Sequence, residues 1–215
     1  YAGLGKTDEG IAALEALAKE PKDNPQPYFV LAEYFFEQRA ISKAENNLEK
    51  AIKLNSDIGT YGNQISAQIH RALSRTALQK NNLVLGRKHL TLALNNIPNS
   101  VLLMADLAGL EIVEKNYTAA EKIIDDLDRG PAGKQYTMVL RPELLREQGK
   151  SAEAIQLLES QWDESKNPQF GVALYRHSQL ADRPLRKGLL DEWIETNPED
   201  FRPFLYKGTD AQLAR

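Results

Sequence analysis

The chain is 215 residues long, 42% hydrophobic and 27% charged, with a net charge of −3. That balance excludes a disordered polyelectrolyte, and it lacks the basic excess that offsets phosphate charge, so no nucleic-acid partner is expected. The absence of cysteine removes disulfides, thiolate metal sites and cysteine nucleophiles. No apolar run approaches the roughly 20 residues that span a bilayer, so no direct membrane insertion is expected of this segment.

A small residue recurs within successive apolar-periodic segments, at Gly10, Ala44, Gly86, Ala120, Ala154 and Gly188, with intervals of 34, 42, 34, 34 and 34. A large apolar residue follows at Leu14, Leu48, Leu90, Ile124 and Leu158; in the last segment Glu192 stands there, flanked by Leu190 and Trp193. Residues three and four apart share a helical face, and two helices cross closely only where one side chain is small. The pattern therefore predicts helix pairs that gain stability by stacking on their neighbours.

In chain order, residues 1–24 form a partial unit. Gly3-Leu4-Gly5-Lys6-Thr7 has only the outline of a phosphate-binding loop, because no strand leads in and Gly3 is too near Gly5; it reads as an inter-helix turn. The unit 25–58 places Tyr28, Leu31, Ala32 and Phe35 on a first helix and Ala44, Leu48 and Ala51 on a second. Eight extra residues fall between Asn55 and Ser66, where Gly59 and Gly62 predict a loop, with a lengthened following helix as the alternative. Units 67–100, 101–134, 135–168 and 169–200 follow, and 201–215 starts another. Ile97-Pro98-Asn99-Ser100 reads as a helix-to-helix turn. The acidic run Asp125 to Gly130 lacks the alternating oxygens of a calcium loop and reads as a helix end stopped by Gly130-Pro131. Pro142 is expected to open a shortened helix over 142–148, since a proline inside a helix costs roughly 3 kcal/mol or more. His70, His89 and His177 stand far apart in sequence and form no metal-ligand pair; His70 and His177 read as groove or packing residues. No nucleophile–base pair, metal set or cofactor loop is present, so neither catalysis nor a cofactor is expected.

The unit 25–58 fills the aromatic, Leu, small, aromatic, Ala, large and Ala places of the tetratricopeptide repeat, and the chain resembles that family over nearly its whole length. Tyr117-Thr118-Ala119-Ala120 and Gly149 to Ala154 look like the family's turns into a second helix, whereas Glu111 stands where an aromatic is expected. The resemblance implies an all-α fold, a right-handed α-α superhelix (a TPR-like solenoid) of about five to six helix pairs, cut from a longer array. It also implies that first helices line a concave groove. Carried onto this sequence, the groove places are Gln26, Phe29, Glu33, Phe36 and Glu37, then Gln68, Arg71, Arg75, Leu78 and Gln79, then Tyr136, Val139, Glu143, Arg146 and Glu147.

Of these, Phe29, Glu33, Phe36, Arg71, Arg75, Gln79, Tyr136 and Arg146 are the candidate contacts for a protein or peptide partner. For Phe29 and Phe36 two readings stay open, groove anchors or packing against residues 55–66. The carboxylate clamp of chaperone-binding members needs Lys and Asn where Phe29 and Glu33 stand, so it is not expected. The stretch from Asp182 to Asp200, with Trp193-Ile194-Glu195-Thr196-Asn197-Pro198-Glu199-Asp200 and then Arg202, resembles a recurring segment of bacterial cell-envelope TPR proteins. The TPR lipoproteins associated with PEP-CTERM/exosortase sorting are the nearest likeness. That resemblance implies a scaffold in the periplasm or cell envelope, with the cytoplasm as the alternative compartment. The alternative function is a non-catalytic helical accessory domain of a larger enzyme.

The register makes a direct prediction. Ala44→Leu overpacks a close helix crossing and lowers stability by about 1–3 kcal/mol in urea denaturation; an unchanged midpoint overturns the repeat register.

Overall fold

A computed structural model describes residues 9–13, 16, 24–58 and 63–213. The Gly3 to Thr7 turn lies outside the described residues. Helices follow one another as α1 (Gln26–Glu37), α2 (Ile41–Ile58), α3 (Asn63–Gln79), α4 (Leu83–Asn96), α5 (Val101–Val113), α6 (Tyr117–Asp128), α7 (Pro131–Glu147), α8 (Ser151–Ser165), α9 (Pro168–Leu180), α10 (Leu189–Thr196) and α11 (Arg202–Leu213). No strand occurs among the described residues, and none of their helices is long and apolar enough to cross a membrane. The chain divides into two compact units, residues 1–110 and 111–215.

The turn inside each helix pair is built the same way. Arg39, Asn81, Lys115, Gly149 and Asp182 all adopt positive φ, between 49° and 80°. The residue after each one donates its amide back five places: Ala40 to the Phe35 carbonyl (2.9 Å), Asn82 to Ala77 (2.9 Å), Asn116 to Glu111 (2.8 Å), Lys150 to Leu145 (2.8 Å) and Arg183 to Ser178 (2.9 Å). This is the Schellman closure, which ends a helix and satisfies its last carbonyls at once. Side chains then start the next helices where they can. Asn82 Oδ1 accepts the Leu85 amide at 3.0 Å and Asn167 Oδ1 accepts the Gln169 amide at 3.0 Å, with Pro168 in the first turn.

The small-then-large pattern is buried. Ala44, Gly86, Ala120 and Ala154 lie inside, as do Leu48, Leu90, Ile124 and Leu158. In unit 1 one core cluster joins Phe29, Ala32, Leu48, Ala51, Ile69 and Leu73, and a second joins Ala67, Leu90, Ala93, Leu103 and Leu110. In unit 2 Leu158, Trp162, Phe170, Leu174, Leu189, Leu190 and Trp193 form the core. Both tryptophans are fully buried, and each indole N–H keeps a partner: Trp162 donates to Glu192 at 3.1 Å and Trp193 to Asp200 at 3.0 Å. Glu192 takes the place of a large apolar residue because it serves the Trp162 indole. Glu111 replaces an aromatic for a comparable reason: it is buried and accepts from Asn116 Nδ2 at 2.9 Å, tying the turn to the helix.

Three expectations need correction. Pro142 does not open a short helix; it sits buried inside the continuous α7. The proline removes one backbone hydrogen bond, and the burial of its ring among apolar neighbours offsets that loss. The segment 55–66 is mostly not a loop, since α2 runs to Ile58 and α3 begins at Asn63, with residues 59–62 outside the described ones. Gly188 is not a helix-crossing residue. Its φ is +81°, it precedes α10, and a Cβ there would meet nothing within 4 Å.

The close approach in that last pair falls instead at Gly171, where a Cβ would stand 2.5 Å from the Trp193 ring. Gly171→Ala gains roughly 1 kcal/mol of helix propensity yet forces an atom into a fully buried indole. The steric term wins: we expect a net loss of about 1–3 kcal/mol in chemical denaturation, with a stabilised variant overturning this account of the core.

Candidate partner-binding surface

In unit 1 the first helices α1 and α3 bring several candidate residues together. The Arg75 guanidinium lies over the Phe36 ring, 4.5 Å from its centroid, a cation–π contact that holds the long side chain in one orientation. Phe36 is half-buried and Arg75 exposed. Glu33, one turn earlier on α1, is exposed at the residue level; partial burial and the neighbouring Glu37 raise its carboxyl above the ordinary value, opposed by Arg75. Gln79 lies exposed one turn beyond Arg75. Arg71 is engaged: its Nε and Nη2 both reach the Asp106 carboxylate of α5, the latter at 3.3 Å.

Phe29 departs from the groove reading. It is 7% exposed and packs among Ala32, Leu48, Ile69 and Leu73, because its position points it to the second helix and to α3. Leu78 likewise packs on the core, over Gly86. Tyr28, read as a core residue, is half-buried at the edge of that cluster with Lys50 over its ring.

Unit 2 presents a different arrangement. Glu143 on α7 gathers cations: Arg146 at 2.7 Å and Arg176 of α9 at 3.6 Å, with His177 Nε2 at 3.7 Å. The Arg146 fork holds the Glu143 carboxyl below its ordinary range in spite of burial. Arg146 also pairs with Glu147. A cavity of about 250 Å³ opens here, lined by Val139, Pro142, Glu143, Ala173, Arg176 and His177 among others. Val139 is 63% exposed at its rim. Tyr136 is half-buried one turn earlier on α7. His177 is 5% exposed, and its Nδ1 is buried without a hydrogen-bond partner among the described residues. Burial pushes its imidazole down from 6.5, although Glu143 pulls the other way.

Arg176, the cavity itself and the meeting of two other histidines escaped the sequence reading. His70 on α3 and His89 on α4 bring their Nδ1 atoms to 3.3 Å. Burial, then the His89 ring, lowers His70 to about 4. The only trace of this pair in the sequence is that both residues lie within one unit, each about midway along its helix. Among the described residues, no group of three or more His, Cys, Asp or Glu side chains is placed to hold a metal.

No known family description matches the sequence, and no curated protein matches it. Solved structures do match. The crystal structure of the APC/C hetero-tetramer Cut9–Hcn1 is similar with a TM-score of 0.64 and 13% identity, over 96% of this chain and 40% of that one. The structure from the functional characterisation of Pseudomonas aeruginosa pilF is similar with a TM-score of 0.58 and 16% identity, over 85% of this chain and 80% of that one. Both are tetratricopeptide-repeat proteins, and at these identities the likeness is one of fold: this chain has an all-α fold of that type. It spans about two-fifths of the length of the Cut9–Hcn1 chain.

The burial of His177 has a pH signature. Above about 6.5 the imidazole is neutral in folded and unfolded chains alike, and its contribution is fully present. As pH falls below that value the unfolded chain takes up the proton first, so stability declines toward the lower, folded pKa. We expect the slope of melting temperature against pH between about 6.5 and 5 to be shallower in His177→Gln than in the unaltered chain; equal slopes overturn this assignment.

Proposed function

We propose that this chain is a protein-interaction scaffold that binds a partner protein or peptide on its first-helix surfaces, with Arg75 over Phe36 as the anchor. The single observation that carries this reading is the state of Arg75. It is exposed, oriented by an aromatic ring, and reaches no carboxylate at salt-bridge distance among the described residues. Arg71 and Arg146 are already neutralised by Asp106 and by Glu143 with Glu147. An oriented arginine on an aromatic platform offers a planar fork of donors to a carboxylate or a backbone carbonyl at little entropic cost. Glu33 and Gln79 beside it supply an acceptor and an amide for the same partner segment. The tetratricopeptide-type fold supports the reading, since such arrays present helix faces for recognition.

We place the scaffold in the bacterial periplasm or cell envelope, in protein sorting or exopolysaccharide assembly. Support comes from the resemblance of the Asp182 to Arg202 stretch alone. The structure gives the phrase from Trp193 to Asp200 an internal duty as well, because Asp200 accepts from the Trp193 indole and from both arms of Arg202.

The test is photo-crosslinking in the source organism from a probe at Gln79, beside the platform, with products identified by mass spectrometry. Specific crosslinks to envelope or export proteins, weakened on the order of tenfold by Arg75→Ala with no change in melting temperature, are the expected result. Crosslinks indifferent to Arg75→Ala remove the anchor. Crosslinks confined to one enzyme subunit favour the accessory-domain reading instead.

A further inference from the structure

The imidazole pair of unit 1 has no part in the proposed recognition surface, and its geometry is specific. His70 and His89 come from opposite helices of one pair, nineteen positions apart. Their Nδ1 atoms stand at 3.3 Å, with ring centroids 5.5 Å apart and ring planes inclined by 28°. Both rings are half-buried and so remain in reach of solvent. One proton shared between two neutral imidazoles satisfies a contact of this length. The same length is also the edge of a metal coordination tetrahedron: two nitrogens each about 2.0–2.1 Å from Zn²⁺ stand about 3.3–3.4 Å apart.

A carboxylate acts on the pair, although among the described residues no third His, Cys, Asp or Glu side chain already stands in place to complete a metal site. Glu45 of α2 acts electrostatically on His89, and its carboxylate is held by Lys80, just beyond the end of α3. A rotation that trades this exposed ammonium for a metal ion keeps the carboxylate paired.

The geometry points to a divalent transition-metal site, with Zn²⁺ as the type ion, bound by Nδ1 of His70 and Nδ1 of His89. Glu45 or water completes the shell. Imidazole nitrogen with one carboxylate suits zinc, copper and nickel over magnesium or calcium. Two or three protein ligands without thiolate make a site of modest affinity that loads and unloads with the surrounding metal concentration. A bound ion ties α3 to α4, and through Glu45 to α2. It therefore stabilises the folded state by mass action and stiffens the two helix pairs that present Phe36 and Arg75.

The probe is Zn²⁺ itself, added to the full chain after chelator treatment and followed by calorimetry and thermal melting. The expected result is one equivalent per chain and a melting temperature raised by several degrees. Affinity falls at least tenfold in His89→Ala and in His70→Ala, and is unchanged in His177→Ala. Lys80→Ala, which frees Glu45, tightens binding, and Glu45→Gln weakens it. Because His70→Ala empties a half-buried position, the ring ¹⁵N resonances of the unaltered chain give an independent reading. Zinc should move the Nδ1 signals of His70 and His89 and leave those of His177 in place. A zinc response that survives His89→Ala, or ring signals of His70 and His89 that ignore zinc, overturns the site.

Discussion

A helix pair can fold back on itself only if the chain reverses within a few residues while the last carbonyls of the first helix still find donors. Here one residue per pair bears that constraint. Arg39, Asn81, Lys115, Gly149 and Asp182 rotate into the left-handed region, and the amide that follows each one reaches back five places. The turns recur at intervals of 42, 34, 34 and 33 residues, the first three being the spacing of the buried small residues Ala44, Gly86, Ala120 and Ala154 in the second helices. Only one of the five is glycine. The other four accept a conformation that usually costs a side chain about 1–2 kcal/mol, which they do because the closure satisfies two carbonyls that would otherwise be lost. Shift one of these turns by a residue, and the second helix presents a different face to the first.

That dependence explains what could be read in the sequence and what could not. The period of 34 and the buried positions Ala44, Leu48, Gly86, Leu90, Ala120, Ile124, Ala154 and Leu158 were legible, because they follow from helix geometry and from the need for small residues at crossings. The left-handed residues Arg39 and Lys115 were not, since Arg and Lys carry no such preference, unlike Gly149 and, more weakly, Asn81 and Asp182. Gly188 satisfied the spacing by coincidence; its real use is a positive φ, and the crossing it was assigned to is made by Gly171 against Trp193. Pro142 was misplaced because the penalty for an interior proline is local, while the compensating burial is tertiary.

The candidate site divides along the same line. Glu33, Phe36, Arg71, Arg75, Gln79, Tyr136 and Arg146 lie on first helices as the family pattern implies, but the pattern says nothing of their partners. Asp106 binds Arg71 across 35 residues, and His177 approaches Glu143 across 34. Such pairings are set by how helices stack, and no local window contains both members. Phe29 illustrates the converse. Its place in the pattern is a groove place, yet its neighbours Ile69 and Leu73 from α3 enclose it. An aromatic ring excludes water most effectively against apolar atoms, so a small difference in helix rotation is enough to draw it inward.

What remains on the surface is then decided by which charges the fold has already spent on itself. In unit 2 the cations around Glu143 compensate it closely, and a partner that binds there must either leave that cluster intact or break ion pairs that are partly desolvated. In unit 1, Arg71 is bound to Asp106 in the same sense. Arg75 differs in being oriented without a salt bridge among the described residues, although Glu33 lies near enough to feel its charge. The ring of Phe36 fixes its direction and offers no formal negative charge in return, so on the surface we propose a carboxylate or carbonyl would meet a donor already held in place. Selectivity on the proposed face would follow from an asymmetry: segments that bring an acceptor to Arg75 would gain a charge-assisted bond, whereas those that bring a cation would meet the same guanidinium as a repulsive charge.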